Sequence, residues 1–352
     1  MKLLMITGLG SAVNLASGKK GAFYYTLEEF HKYWARIDII CPKIKGQESG
    51  VKVLFGNVYL HISSLPLILH PIYFVWKCIR LHRTYKFNLM TVQEFPPFYN
   101  GIGASIIHNR ICVPYVLEIM HIPGYPRAST VKESIYKWLT KLIIKWDTKT
   151  ARAVRVINQT EAPNFLVRAG VPKNKLVYIP AFYINLDVFK PRDVVKKYDL
   201  IFVGRLEKNK GLDILLEIAK KSDLKIIIVG DGPLMKFCKS GHKVLMHGFA
   251  KDSAEVAKLI NESRALIMLS YNEGGPRVIL ESLACGVPVI ATSVGIVPDV
   301  INRNNGRIVN WLADEAIKAF QEIKNTKVTT NMAQFERMAA IKNYAGALKN
   351  LI

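Results

Sequence analysis

The sequence predicts an α/β fold: two doubly wound domains in tandem, with the ends of their strands facing a common cleft. Three observations carry this. Short apolar runs alternate with helix-like stretches along almost the whole chain. The alternation pauses once, over Asn185 to Pro191, and then restarts. In the second half, the apolar run Ala265 to Leu269 leads through Ser270-Tyr271-Asn272-Glu273-Gly274-Gly275-Pro276 into a helical stretch capped by Gly286, then into Val287 to Ile290. That is strand, loop, helix, strand, and the loop lies where open α/β sheets bind ligands.

In chain order, Lys2 to Ile6 reads as a first buried strand, too short before Thr7-Gly8 for the core of an export signal. Gly8 and Gly10 begin a dinucleotide fingerprint whose third glycine would fall at Val13, so that pattern fails and a dinucleotide oxidoreductase is disfavoured. The loop Ser17-Gly18-Lys19-Lys20-Gly21 precedes a helix expected over Ala22 to Trp34, and its lysines and glycines suit either a phosphate or a plain surface turn. Ile37 to Ile40 and Val51 to Phe55 read as strands, Leu67 to Arg83 as a helix with a basic end, Leu89 to Val92 as a strand and Gly101 to Asn109 as a helix. The strand Tyr115 to Ile119 ends at His121, a candidate site residue because of that position. Ser134 to Lys149 is the clearest amphipathic helix. Ile135, Leu139, Leu142, Ile143 and Trp146 share one face, and Lys137, Lys141, Lys145 and Lys149 the other. Such a helix either packs on the sheet or lies on a membrane surface. Ala153 to Ile157 is a further strand, and Val171 to Pro180 leads into the pause.

The second half repeats the scheme. Strands are expected at Asp199 to Val203, Lys225 to Val229 and Val244 to Met246, with Leu212 to Lys221 and Ala254 to Ser263 as helices. Pro276 is placed as the first helical residue after the Glu273 loop, where its missing N–H costs nothing. Ile296 to Asp299 and Asn305 to Val309 are taken to close the second sheet, followed by helices at Leu312 to Lys324 and Met332 to Leu351. The division is therefore 1–187 and 188–332, with the C-terminal helix at about 333–352 returning to the first domain.

Composition narrows the function. Forty-nine Lys and Arg against 27 Asp and Glu give a net charge of +22, which attracts anions: phosphorylated ligands, nucleic acid or an acidic membrane face. The five scattered cysteines, Cys41, Cys78, Cys112, Cys238 and Cys285, read as free thiols of a reducing, cytoplasmic compartment. The longest apolar region, Leu65 to Ile79, is broken by Pro66, His70, Pro71 and Lys77, so no spanning helix of about 20 residues is expected. Nucleic acid is not expected as a partner. Trp138 and Trp146 fall on or near the apolar helix face rather than interleaving with the lysines as stacking platforms. The helix after Gly274-Gly275 points free N–H groups and a positive dipole end at its loop, which suits an anion. Glu273 and Glu281 accept hydrogen bonds only, so beside an anion they suit hydroxyl donors, as on a sugar and a ribose.

These motifs resemble those of the family 4 retaining glycosyltransferases, which have two Rossmann-like domains in the GT-B architecture. The matches are Gly204-Arg205-Leu206 with Lys210-Gly211, Val229-Gly230-Asp231-Gly232-Pro233, Gly248-Phe249, Glu273 with Glu281, Ala284-Cys285-Gly286-Val287-Pro288-Val289 and Asn305-Gly306. They cover Asp199 to Val309 almost continuously; the first half matches in layout, at His121 and in its Gly-Val-Pro…Ile-Pro run. The resemblance implies that Arg205 and Lys210 clasp the diphosphate of a UDP- or GDP-hexose and that Glu281 takes the ribose hydroxyls. It places Glu273 on the donor sugar, with the amides of Gly274, Gly275, Pro276 and Arg277 beside sugar and phosphate. Gly21 would mark the first-domain loop near the diphosphate, and His121 would contact the sugar or the reacting centre. No metal and no cofactor is called for, two cations and a helix end serving instead. The basic, partly apolar helices of the first domain suggest a lipid-linked glycan or glycolipid acceptor at an anionic membrane surface, on its cytoplasmic face, as in glycan or N-glycan precursor assembly. The alternatives are a basic nucleic-acid-binding protein and a glycosyltransferase with a soluble acceptor. The sequence departs from the usual family pattern at Gly275, where a bulky apolar residue is common, at Lys20-Gly21, at Asn158 and at Asp299.

Overall fold

The computed structural model describes residues 1–18, 20–96, 98–238 and 243–352; Lys19 of the first-domain loop lies outside them. Two sheets organise the chain. The first contains β1 (Lys2–Ile6), β2 (Arg36–Cys41), β3 (Gly50–Leu54), β4 (Val58–Ile62), β5 (Leu89–Gln93), β6 (Tyr115–Ile119), β7 (Ala153–Val156) and β8 (Leu176–Tyr178). Their order is β3-β4-β2-β1-β5-β6-β7-β8, parallel throughout except for the antiparallel β3–β4 pair. The strand β4 was not foreseen. Phe55 and Gly56, with φ of 52° and 78°, lie in the three-residue loop, Phe55 to Asn57, that folds it back on β3.

The helices of this half are α1 (Leu9–Ala16), α2 (Ala22–Phe30), α3 (His70–Tyr85), α4 (Tyr99–Ile111), α5 (Val131–Asp147) and α6 (Glu161–Arg168). Sequence patterning missed α1, where two glycines read as a turn, and also α6 and β8. It ran α2 on through what is a separate 3-10 turn at His31–Tyr33. One side of the sheet buries Phe74 of α3, Ala104 and Ile107 of α4, Ile144 of α5 and Phe165 of α6. The other side buries Leu15 of α1 and Leu27 and Phe30 of α2.

The second sheet holds β9 (Tyr198–Val203), β10 (Ile226–Val229), β11 (Val244–Gly248), β12 (Ser263–Met268), β13 (Val289–Thr292) and β14 (Gly306–Val309). Its helices are α7 (Leu212–Lys221), α8 (Ser253–Asn261), α9 (Arg277–Ala284), the single turn α10 (Val297–Val300) and α11 (Ala313–Ile323). All six strands are parallel in the order β11-β10-β9-β12-β13-β14, so the chain reverses direction across the sheet between β9 and β12. That switch point opens a crevice between the loops after those two strands. Ile296 to Asp299, expected to help close this sheet, lies instead at the helical turn α10. A last helix, α12 (Arg337–Lys349), buries Ile341, Tyr344, Ala345 and Leu348 in the core of the first sheet.

One correction concerns α5. Its apolar face, which packs on the sheet in one of the two readings, is turned outward. Val131, Ile135, Trp138, Leu142 and Trp146 are all more than half exposed, and the helix packs through Thr140, Ile144 and Asp147. Their spacing of three and four residues makes the exposed set a continuous apolar stripe, with Lys141 and Lys145 beside it. Both tryptophans therefore stand in the open near lysines, so the ground given for setting nucleic acid aside does not hold. The stripe itself is mostly aliphatic. Among the described residues no helix is long and apolar enough to cross a membrane.

Candidate active site

The crevice at the β9/β12 switch collects most of the candidate residues. Gly211 starts it: its φ of 68° suits glycine, and a Cβ there would lie 2.1 Å from the Leu269 carbonyl oxygen. This close approach lays the loop after β9 on the loop after β12, and Tyr271 N–H donates to the Asn209 carbonyl at 2.8 Å. Lys210 is thereby brought to Glu273, and the two form an ion pair. Ser270 Oγ donates to the same carboxylate oxygen at 3.0 Å. The Ser270 carbonyl in turn accepts from Thr292 Oγ1 at 2.6 Å and Trp311 Nε1 at 3.0 Å, which fixes the loop from behind.

The first half of the chain meets this loop directly. A Cβ on Gly274 would sit 2.1 Å from the Met120 carbonyl and 3.3 Å from His121 Cβ, so only a glycine lets the end of β6 come so close. His121 is mostly buried there and its Nδ1 has no hydrogen-bond partner. Burial pulls its pKa below the usual value, with the Glu273 charge and the polar groups of Glu273 and Asn272 acting in the opposite direction, and the ring is neutral at pH 7. Gly275 faces Phe182, whose Cζ lies 1.6 Å from where a Cβ would stand. The ring, from the chain between the two sheets, occupies the room that a side chain at 275 would need.

Beside the loop, Arg205, Arg277 and Glu281 line a cavity of about 640 Å³ with Val203, Phe189 and Phe249. Pro276 is the N-cap of α9 and Arg277 its first residue, one position later than the sequence suggested. Glu281 is nine-tenths buried, and desolvation raises its pKa although Arg277 Nε donates to it at 3.0 Å. Arg205 is 77% exposed and pairs with Glu207 at 2.8 Å, so its guanidinium stands at the cavity wall and not on Lys210. Gly21 is not brought into the group. It is the N-cap of α2, and Asn14 supplies the nearest atoms to its missing side chain.

Several residues that join the two halves were not singled out for the site. Asp299 accepts from Gln159 N–H at 2.6 Å and Thr160 Oγ1 at 2.5 Å. Asn158 Nδ2 donates to the Gly274 carbonyl at 3.3 Å. Glu161, buried at the start of α6, accepts from Gly295 N–H at 2.7 Å. Burial, with Asp299 and Glu273 nearby, pushes its pKa up to about 8, which leaves it protonated at neutral pH. On the other side, Asn272 Nδ2 donates to the Arg127 carbonyl and to Glu133, both at 3.0 Å. Asn158 and Asp299 were visible as departures from the family pattern; Glu161, Phe182 and Asn272 left no local signal.

A two-sheet α/β protein with a cation, two carboxylates and a helix start at its switch point has the form of a GT-B glycosyltransferase. The comparisons agree. Residues 185–345 match the family described as glycosyl transferases group 1. N-acetyl-alpha-D-glucosaminyl L-malate synthase of Bacillus anthracis is 28% identical over 350 residues, covering 86% of this chain and 89% of its own. Among solved structures, the lipopolysaccharide outer core galactosyltransferase WaaB superposes with a TM-score of 0.72 at 15% identity, covering 100% of both chains. Anabaena HepE, solved with UDP and glucose, gives 0.67 at 15% identity over 99% of this chain and 100% of its own. Residues 185–345 match the group 1 glycosyl transferases, and the chain as a whole has the GT-B fold.

Proposed function

We propose that the protein is a retaining, family 4 type glycosyltransferase that moves a hexose from a UDP- or GDP-sugar to a lipid-linked glycan or glycolipid at the cytoplasmic face of a membrane. It divides at 187/188, with α12 assigned to the first lobe. The nucleoside diphosphate enters the cavity beside α9, with Glu281 on the ribose hydroxyls. Negative charge grows on the departing diphosphate, and Lys210, Arg205 and the α9 N-terminus stabilise it. Preorganised donors of this kind contribute about 3 to 4 kcal/mol each. A diphosphate would compete with Glu273 for Lys210 and free that carboxylate for the sugar hydroxyls. His121, neutral, faces the sugar from the other lobe.

The observation that carries the donor reading is the meeting of Lys210, Glu273, Gly274 and His121 at the switch point, next to a cavity of about 640 Å³. The complex of HepE with UDP and glucose supports the donor class. The acceptor reading is supported by the exposed stripe of α5 and by WaaB, a lipopolysaccharide galactosyltransferase. A second reading, a small soluble acceptor, is favoured by the N-acetyl-alpha-D-glucosaminyl L-malate synthase relative. A thermal-shift screen against UDP-, GDP- and ADP-sugars tests the donor. A ligand at about 100 times its Kd adds roughly 2.7 kcal/mol of stability, and silence from every nucleotide sugar refutes the enzyme reading.

A further inference from the structure

Away from the crevice, α3 and α4 enclose an apolar groove of about 430 Å³. Its walls are Ile72, Val75 and Trp76 from one helix and Tyr99, Ile102 and Ile106 from the other. These are large side chains left in water: Ile72 is 65% exposed, Trp76 and Ile102 53%, and Ile106 46%. The groove has a built floor. A Cβ on Gly103 would lie 2.0 Å from Phe74 Cζ, so the helices close tightly beneath while the isoleucines and Trp76 stand apart above. At the Pro71 and Tyr99 end, His70 is almost wholly buried, with neither ring nitrogen partnered, and stacks among Tyr73, Phe74 and Tyr99. Desolvation lowers its pKa to about 4, so no charge enters the apolar surface at neutral pH.

Position and charge say what the groove suits. Both helices begin at the C-terminal edge of the parallel sheet, the edge that carries His121, and the lining falls in their first two turns, a length of roughly 12 Å. One end of the groove therefore opens on the cleft side. Neither α3 nor α4 contains an Asp or Glu, while Arg80 and Arg83 are exposed on α3 and Arg110 on α4. On neighbouring α5 the two carboxylates are the buried Asp147 and the half-buried Glu133, which binds Ser129. An apolar slot in a surface without exposed carboxylates fits an anionic lipid and not an acidic protein face.

We propose that this groove holds a single hydrocarbon chain of an anionic lipid. That the chain is the acceptor's tail rests on the acceptor reading above; the chain site itself does not. Octyl and decyl phosphate, kept below micelle formation, are the probes, and binding is measured by calorimetry on the full chain. Wild type binds the decyl compound more tightly, by roughly fourfold for each added methylene. Ile72→Glu and Ile106→Glu, both at exposed positions, lose that chain-length dependence. Trp146→Glu, on the α5 stripe, keeps it. A wild type indifferent to chain length, or groove variants that keep the preference, overturns the proposal. So does a wild-type dimer that Ile72→Glu converts to monomer, since the groove is then covered by a second copy. The nucleotide-sugar thermal shift is recorded on the same proteins. Its loss with chain-length dependence intact removes the transferase reading and leaves the lipid site standing.

Discussion

Glu161 keeps its proton because it is buried where the two halves of the chain meet and its one donor, the Gly295 amide, offsets only part of the desolvation. The unfolded chain gives up that proton near 4.5 and the native state near 8. Between those values the native state binds more protons, so the group's contribution to stability falls as pH rises through the window. Glu161→Gln keeps an acceptor for Gly295 and cannot ionise. Its melting temperature should drop less than that of wild type between the two ends of the window; parallel curves would show the carboxyl to be ionised throughout. Gly275 and Phe182 make a second pair. Gly275→Ala drives a methyl into the ring and should destabilise by about 1 to 3 kcal/mol, while Phe182→Ala in the same chain should recover most of that loss. Additive losses in the double variant would place the ring elsewhere. The sequence displayed the unusual glycine, but its partner lies far off in the chain between the sheets, and no local pattern links them.

At the scale of elements, α4 is a wedge with two glycines in contrasting roles. Residues two apart on a helix point to nearly opposite sides. Gly101 admits Asp147 of α5, where a Cβ would lie 2.0 Å from Oδ1, and Gly103 admits Phe74 of α3. Gly103→Ala should cost about 1 to 3 kcal/mol through overpacking, despite the better helix propensity of alanine. Chemical denaturation measures this, and Phe74→Leu in the same chain should relieve it. Elements of the second half were legible almost to the residue, as with α7 and β9, because glycines and prolines punctuate its loops and its strands are buried runs. In the first half β8 has three residues and β4 depends on a hairpin turn with phenylalanine at positive φ. The helix α5 was legible as a helix but not in its orientation. A periodic apolar face gives its own period and not what covers it; Thr140 and Asp147, polar residues, turned out to face inward.

For the whole molecule, the proposed donor cavity and the proposed reacting groups have different dependences on the two halves. All the residues lining the 640 Å³ cavity fall between Phe189 and Glu281, whereas His121 reaches Glu273 and Gly274 only if the halves are held together. The basic outer face of α3 to α5 is independent of both. Changing Lys137, Lys141 and Lys145 to Glu should therefore abolish co-sedimentation with phosphatidylglycerol vesicles, and added salt should weaken it in wild type, without moving the nucleotide thermal shift. Unchanged sedimentation would remove the membrane from the functional reading. Holding the halves together falls partly to α12, through Tyr344, whose hydroxyl donates to Glu118 at 2.8 Å, and Arg155, which pairs with the same carboxylate at 2.6 Å. It falls partly to Asp299, which grips the Gln159 amide and Thr160. The Asp299 contact is outside the donor cavity and can be removed alone. Asp299→Ala should leave nucleotide affinity unchanged, because no lining residue is touched. Transfer should slow by about 100-fold, since a displacement of about 1 Å between reacting groups costs that much. Equal losses in nucleotide affinity and turnover would show that the cavity itself depends on the clamp, and that donor binding and alignment are a single event.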